Sequence, residues 1–149
     1  MIRTRYRALL IVITLLFLSG CAGGIEAIQS GIAGSIAYVR ASVAESRGDK
    51  AYERHDYAAA LDAFRTAAEY GGAHGKFMLA TMYLAGEGVQ RNPEQYLRWM
   101  KLSAESGYPA ANYLMGMAHL STNPEEAERA IQYFQAAASR EHAGAMHML

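Results

Sequence analysis

The chain is predicted to fold as an all-α protein: a right-handed αα-superhelix, or solenoid, of about three helix-turn-helix repeats, with an additional N-terminal helix and a partial C-terminal helix. Two observations carry that prediction. Gly71, Gly75, Leu79, Ala80 and Tyr83 are matched 36 residues later by Gly107, Ala111, Met115, Gly116 and His119, and 34 residues after that by Glu141, Ala145 and Leu149. A second set, Ala63, Phe64, Ala67 and Ala68, returns as Trp99, Met100, Ser103 and Ala104 and again as Tyr133, Phe134, Ala137 and Ala138. Periods of this length, with small residues where helices must touch, mark helix pairs that cannot bury their apolar faces alone and therefore stack.

With 149 residues, 52% of them hydrophobic, the chain is long enough for one domain with a sizeable core. Its 14 basic and 14 acidic residues balance, but Arg3, Arg5 and Arg7 lie in the first seven positions. Without them 11 basic residues face 14 acidic ones, a net charge of −3. A mildly acidic body offers no basic stripe for nucleic acid. The single cysteine excludes a disulfide framework.

Residues 1–20 have a basic start, an apolar run from Ala8 to Leu18, and small residues after it. This is the layout of a secretory signal. The run, about 11 residues, is short of the ~20 that a spanning helix needs. Leu18 to Cys21 reads LSGC, which resembles the lipobox of bacterial lipoproteins. That resemblance implies lipidation of Cys21 after removal of the signal peptide, and an anchor in the membrane through the N-terminal lipid. Ala22, in place of an aspartate, implies sorting to the outer membrane, on its periplasmic face. An uncleaved N-terminal anchor, or cleavage near Ala22 leaving a free thiol, are the other readings of the segment. Over residues 21–35 four glycines point to a tether. Yet Ile25, Ile28, Ile32, Ile36, Val39 and Val43 share one face of a helix, so the stretch reads equally as the start of an N-terminal helix. Such a stripe can cap the first repeat or rest on lipid.

The repeat domain spans 36–149, with units 36–71, 72–107 and 108–140 and a partial unit 141–149. In the first unit Gly48, Tyr57, Ala60, Phe64 and Ala67 follow the tetratricopeptide spacing, and Asp56 is placed to cap the second helix. In the second, Leu79, Ala80, Tyr83, Gly86, Gly88, Val89, Trp99, Ser103, Ala104 and Gly107 stand where the Sel1-like repeat has its motif residues. The chain therefore resembles Sel1-like and tetratricopeptide-type helical-repeat lipoproteins of Gram-negative bacteria. The loop AGEGVQRNP has its own physical logic. Gly86 and Gly88 accept positive φ, Asn92 caps the second helix, and Pro93 sits at its first position, where no N–H is needed. Val89 is expected beneath Trp99, which makes Trp99 a structural anchor. Asn123, Pro124 and Glu125 echo Asn92, Pro93 and Glu94 without the glycines, so the second helix of the third unit is expected to start about three residues earlier than its counterpart, with a shorter loop. The last stretch aligns with two turns of another leading helix. Its apolar end, with Met146, Met148 and Leu149, either docks as an incomplete cap or serves self-association or a partner.

No zinc-protease motif, paired CxxC, phosphate loop or nucleophile elbow occurs. The five histidines are scattered, and His142 and His147 are spaced too poorly to share a metal. No cofactor, metal or catalytic residue is expected. The tetratricopeptide resemblance places the first helix of each pair on a concave face. That mapping makes His74, Phe77, Thr81, Tyr113, Met117 and Leu120 a protein-binding groove beside the acidic residues Glu45 and Asp49. The implied function is a lipid-anchored periplasmic scaffold that binds another envelope protein or peptide. The alternatives are an enzyme acting on cell-envelope material and a membrane-held immunity or inhibitor protein.

Overall fold

The computed structural model of the protein describes the backbone of residues 2–122 and 126–149 and the side chains of residues 27–121 and 126–149. Among them seven helices follow one another: α1 (Ile2–Glu53), α2 (Tyr57–Glu69), α3 (Ala73–Ala85), α4 (Pro93–Glu105), α5 (Pro109–Thr122), α6 (Ala127–Ala138) and α7 (Ala143–Met146). No strand occurs among the described residues, and the all-α helical-repeat architecture is the one expected. The side chains of residues 1–20, Cys21, Ile25, Asn123, Pro124 and Glu125 lie outside the described ones.

The chain divides into two compact units, Met1–Ala37 and Tyr38–Leu149. In the first, the backbone of 21–35 is helical, and Ile28, Ile32 and Ile36 stand exposed along it. In the second, α3 packs on α4 and α5 on α6, while α2 meets α3, α4 meets α5 and α6 meets α7. From α2 to α7 each helix therefore touches its neighbours in sequence, as stacking of incomplete hairpins requires.

The core forms three successive clusters, and a matching of sizes runs through them. Gly48 lies so close to Phe64 that an added Cβ would stand 2.5 Å from the ring, and Gly116 stands in the same relation to Phe134 at 2.7 Å. At the corresponding place in the middle repeat, Ala80 shares a cluster with the slimmer Met100. Where the second helix carries an aromatic ring, the first helix has no Cβ to meet it. The interior is close-packed, so one methyl group decides which partner fits.

Local chemistry explains the ends of these helices. Asp56 Oδ1 accepts the Ala59 N–H at 3.1 Å, and Asn92 Oδ1 accepts those of Glu94 and Gln95, both at 3.1 Å. Gly86 closes α3 in the left-handed conformation, φ +80°. Gly88, φ +67°, brings the loop onto α2 so closely that a Cβ would lie 2.5 Å from the Tyr57 carbonyl oxygen. Val89 and Trp99 both pack on the first cluster, beside Leu61, Phe64 and Leu79.

One local expectation is corrected, and another lies outside the described residues. The early start expected for the second helix of the third unit falls on residues 123–125, which lie outside the described ones; α6 is described from Ala127, in the same repeat register as Pro93 of α4. α5 runs 14 residues against 13 for α3. The register of α6 is held by its packing on α5 through Phe134 against Gly116. The last leading helix is one turn rather than two. α7 is four residues long, started by His142, whose Nδ1 accepts the Ala145 N–H at 3.3 Å.

Candidate functional site

The first helices of successive repeats bring a polar cluster together at one end. Glu45 and Asp49 are one turn apart on α1. Glu45 Oε1 accepts the Gly75 N–H at 2.9 Å, which supplies α3 with the cap that its own Gly72 cannot provide. Asp49 Oδ1 lies 2.8 Å from His74 Nε2, and His74 Nδ1 lies 3.1 Å from the Tyr108 hydroxyl. An Asp49–His74–Tyr108 chain thus links three successive repeats. Burial, and then the negative charges of Asp49 and Glu45, push the Tyr108 hydroxyl above its usual pKa. A hydroxyl kept in its protonated form keeps both its donor and its acceptor capacity, and here it ties the leading helices of successive repeats together.

Phe77 continues the surface, its ring centroid 4.8 Å from that of Tyr108. Beyond it, Leu84, Met117 and Leu120 are 41%, 38% and 41% exposed. The six groove residues expected from sequence are thereby sorted. His74 and Phe77 meet around Tyr108, while Met117 and Leu120 remain exposed on α5. Thr81 is half-buried, and its hydroxyl donates to the Met78 carbonyl at 2.8 Å. Tyr113 is taken up in packing between Phe134 and His142, stacked on the latter at 4.8 Å. Tyr108 was missed by the repeat pattern. Its only signal is an aromatic residue between the turn glycine Gly107 and the helix-starting Pro109.

The residues expected to be structural hold the stack. Leu79 and Ala80 are fully buried and Ala104 nearly so. Tyr83 accepts a hydrogen bond from Arg65 at 3.4 Å, and Gly107 turns the chain at φ +81°. Trp99 packs against both the first and the second cluster. A separate open cleft of about 670 Å³ lies between α4, α5 and α6, lined among others by Lys101, Met115, Arg129 and Tyr133. Sequence reasoning did not find it. Among the described residues no group of three side chains is placed to hold a metal ion, and no helix is long and apolar enough to cross a membrane.

No protein-family model matches the chain. Over 53 residues it is 38% identical to an exopolysaccharide production negative regulator of Rhizobium leguminosarum bv. viciae, a match covering 36% of this chain and 20% of that protein. Over 66 residues it is 35% identical to an F-box protein of Arabidopsis thaliana, covering 44% of this chain and 18% of that one. The chain therefore spans about a fifth of the length of these curated relatives. Among solved structures it resembles a Sel1 repeat protein from Oxalobacter formigenes, with a TM-score of 0.54 and 30% identity over 60% of this chain and 26% of that chain. The stacked hairpins, the glycine loop docked on the preceding repeat and this structural likeness together give the chain the Sel1-like helical-repeat fold, the fold of a protein-interaction scaffold.

Proposed function

We propose that the protein is a lipid-anchored scaffold on the periplasmic face of the outer membrane, binding another envelope protein or peptide through the face formed by its first helices. The observation that carries the binding role is the surface running from the Asp49–His74–Tyr108 cluster to the exposed Met117 and Leu120. It offers an ordered polar end beside an adaptable apolar one. The LSGC sequence ending at Cys21 supports the anchor. The match to an exopolysaccharide regulator favours an envelope process. The proposed role is binding, with the Asp49–His74–Tyr108 chain serving to order the surface that a partner meets.

A photoreactive residue at position 117 is expected to crosslink one envelope protein, and Met117→Ala with Leu120→Ala to lose it. Retention of every partner by the double variant would remove the groove reading. The anchor is tested separately: a palmitate analogue should label the wild type and not Cys21→Ser. Self-association is the second reading of the partner, favoured by Met146, Met148 and Leu149 at 53%, 39% and 61% exposed. It predicts a dimer in sedimentation that Met146→Ser with Met148→Ser dissociates.

A further inference from the structure

The second helices follow one another in two places, and only one of the two gaps is closed. Between α2 and α4, Leu61 is 6% exposed. Val89 of the loop and the indole of Trp99 pack on the cluster that contains it. In the next repeat the same position of α4 is Leu97, and it is 57% exposed. The counterpart of Trp99 in α6 is the smaller Tyr133, which stacks on His119 with 5.3 Å between centroids and 14° between planes. A smaller ring fills less of the gap, and the open cleft of about 670 Å³ lies beside it.

Its lining has a definite chemistry. Lys101 stands one turn beyond Leu97 on the same face of α4, and Arg129 stands near the start of α6, on the other helix lining the cleft. Their side chains are 64% and 68% exposed, and their carboxylate partners are Glu105 at 3.9 Å and Glu126 at 3.4 Å. Pairs of that length between exposed cations and carboxylates contribute little, and Glu126 is held separately by His119 Nδ1, so Lys101 and Arg129 can both turn to a better-placed anion. Met115 and Tyr133 supply apolar surface. The volume is that of a pocket for a small ligand or a few peptide residues. Glu105 and Glu126 would repel a strongly polyanionic ligand, so the cleft suits a single carboxylate beside an apolar group.

We propose that this cleft binds a partner's peptide segment carrying a bulky apolar side chain next to a carboxylate. The side chain lies over Met115 and Tyr133, where the preceding gap holds the chain's own indole, and the carboxylate lies between Lys101 and Arg129. This site is formed largely by the second helices and does not depend on the groove reading.

The probes are N-acetyl-Asp-Trp-amide and the charge-reversed N-acetyl-Lys-Trp-amide, titrated into the full chain in detergent and followed by NMR of labelled methionine methyl groups. The acidic peptide is expected to shift the Met115 methyl saturably, and to bind roughly fivefold more tightly than the basic one. Lys101→Glu with Arg129→Glu should reverse that preference. Tyr133→Trp, which restores the residue of the preceding repeat, should abolish the Met115 response while the buried Met82 methyl keeps its native position. The proposal is overturned if neither peptide shifts Met115, if both do so equally, if the charge reversal leaves the preference intact, or if Tyr133→Trp binds as the wild type does.

Discussion

Gly48, Ala80 and Gly116 occupy one position of the repeat, and each faces a side chain whose bulk is inverse to its own. Gly116→Ala would place a Cβ 2.7 Å from the Phe134 ring, which is expected to cost ~1–3 kcal/mol. Phe134→Met should recover part of that loss, because it recreates the pairing of Ala80 with Met100. Urea denaturation of the single and double variants would show the coupling, and additive losses would contradict it. A second residue-scale effect lies in the turns between repeats. Gly71, Gly107 and Glu141 share one position and are all left-handed, at φ 88°, 81° and 62°. A glutamate there carries a steric cost that glycine avoids, so Glu141→Gly should stabilise the protein by about 1 kcal/mol in the same measurement. The alignment of these three positions was legible in the sequence. The conformation of Glu141 was not, because nothing local demands αL of a glutamate.

At the scale of elements, two helices start by different means. α4 is capped by its neighbour in sequence, Asn92, and was readable as such. α3 follows Gly72, which has no side chain to offer as a cap, and the Gly75 N–H in its first turn is met by Glu45 from α1. Asn92→Ala and Glu45→Ala should each cost ~1 kcal/mol. Amide hydrogen exchange would distinguish them. The first variant should speed exchange at Glu94 and Gln95, and the second at Gly75. If Glu45→Ala left Gly75 as protected as before, the carboxylate would not be the cap.

For the whole molecule, stability rests on neighbour-to-neighbour contacts, and one of them responds to pH. The Tyr52 hydroxyl donates to Glu87 Oε2 at 2.6 Å, joining α1 to the glycine loop. That bond, followed by burial and by the charges of Glu87 and Tyr57, pushes the Tyr52 pKa from 10.0 up to about 12. The folded state therefore binds this proton more tightly than the unfolded chain. The stabilisation is complete below pH 10 and disappears as pH rises from 10 to about 12. Tyr108 shifts in the same direction and adds to the slope. Thermal melts across that range should show the melting temperature of the wild type falling more steeply than that of Tyr52→Phe. Parallel curves would mean that Tyr52 is not a source of the dependence.

The period of the repeats, the helical character of each segment, the caps at Asp56 and Asn92 and the glycine loop were all determined by the sequence alone. Each depends on residues within a few positions of one another, or on spacing that stacking must preserve. The functional surfaces depended on the tertiary structure. Tyr108 joins the polar cluster through partners 34 and more residues away. Tyr113 leaves the groove because His142 stacks on it. The cleft beside Lys101 and Arg129 exists because one repeat fills its gap with Trp99 and the next offers only Tyr133. Whether a gap between stacked helices is filled is a property of shapes brought together from three elements, and no single segment of the chain contains that information.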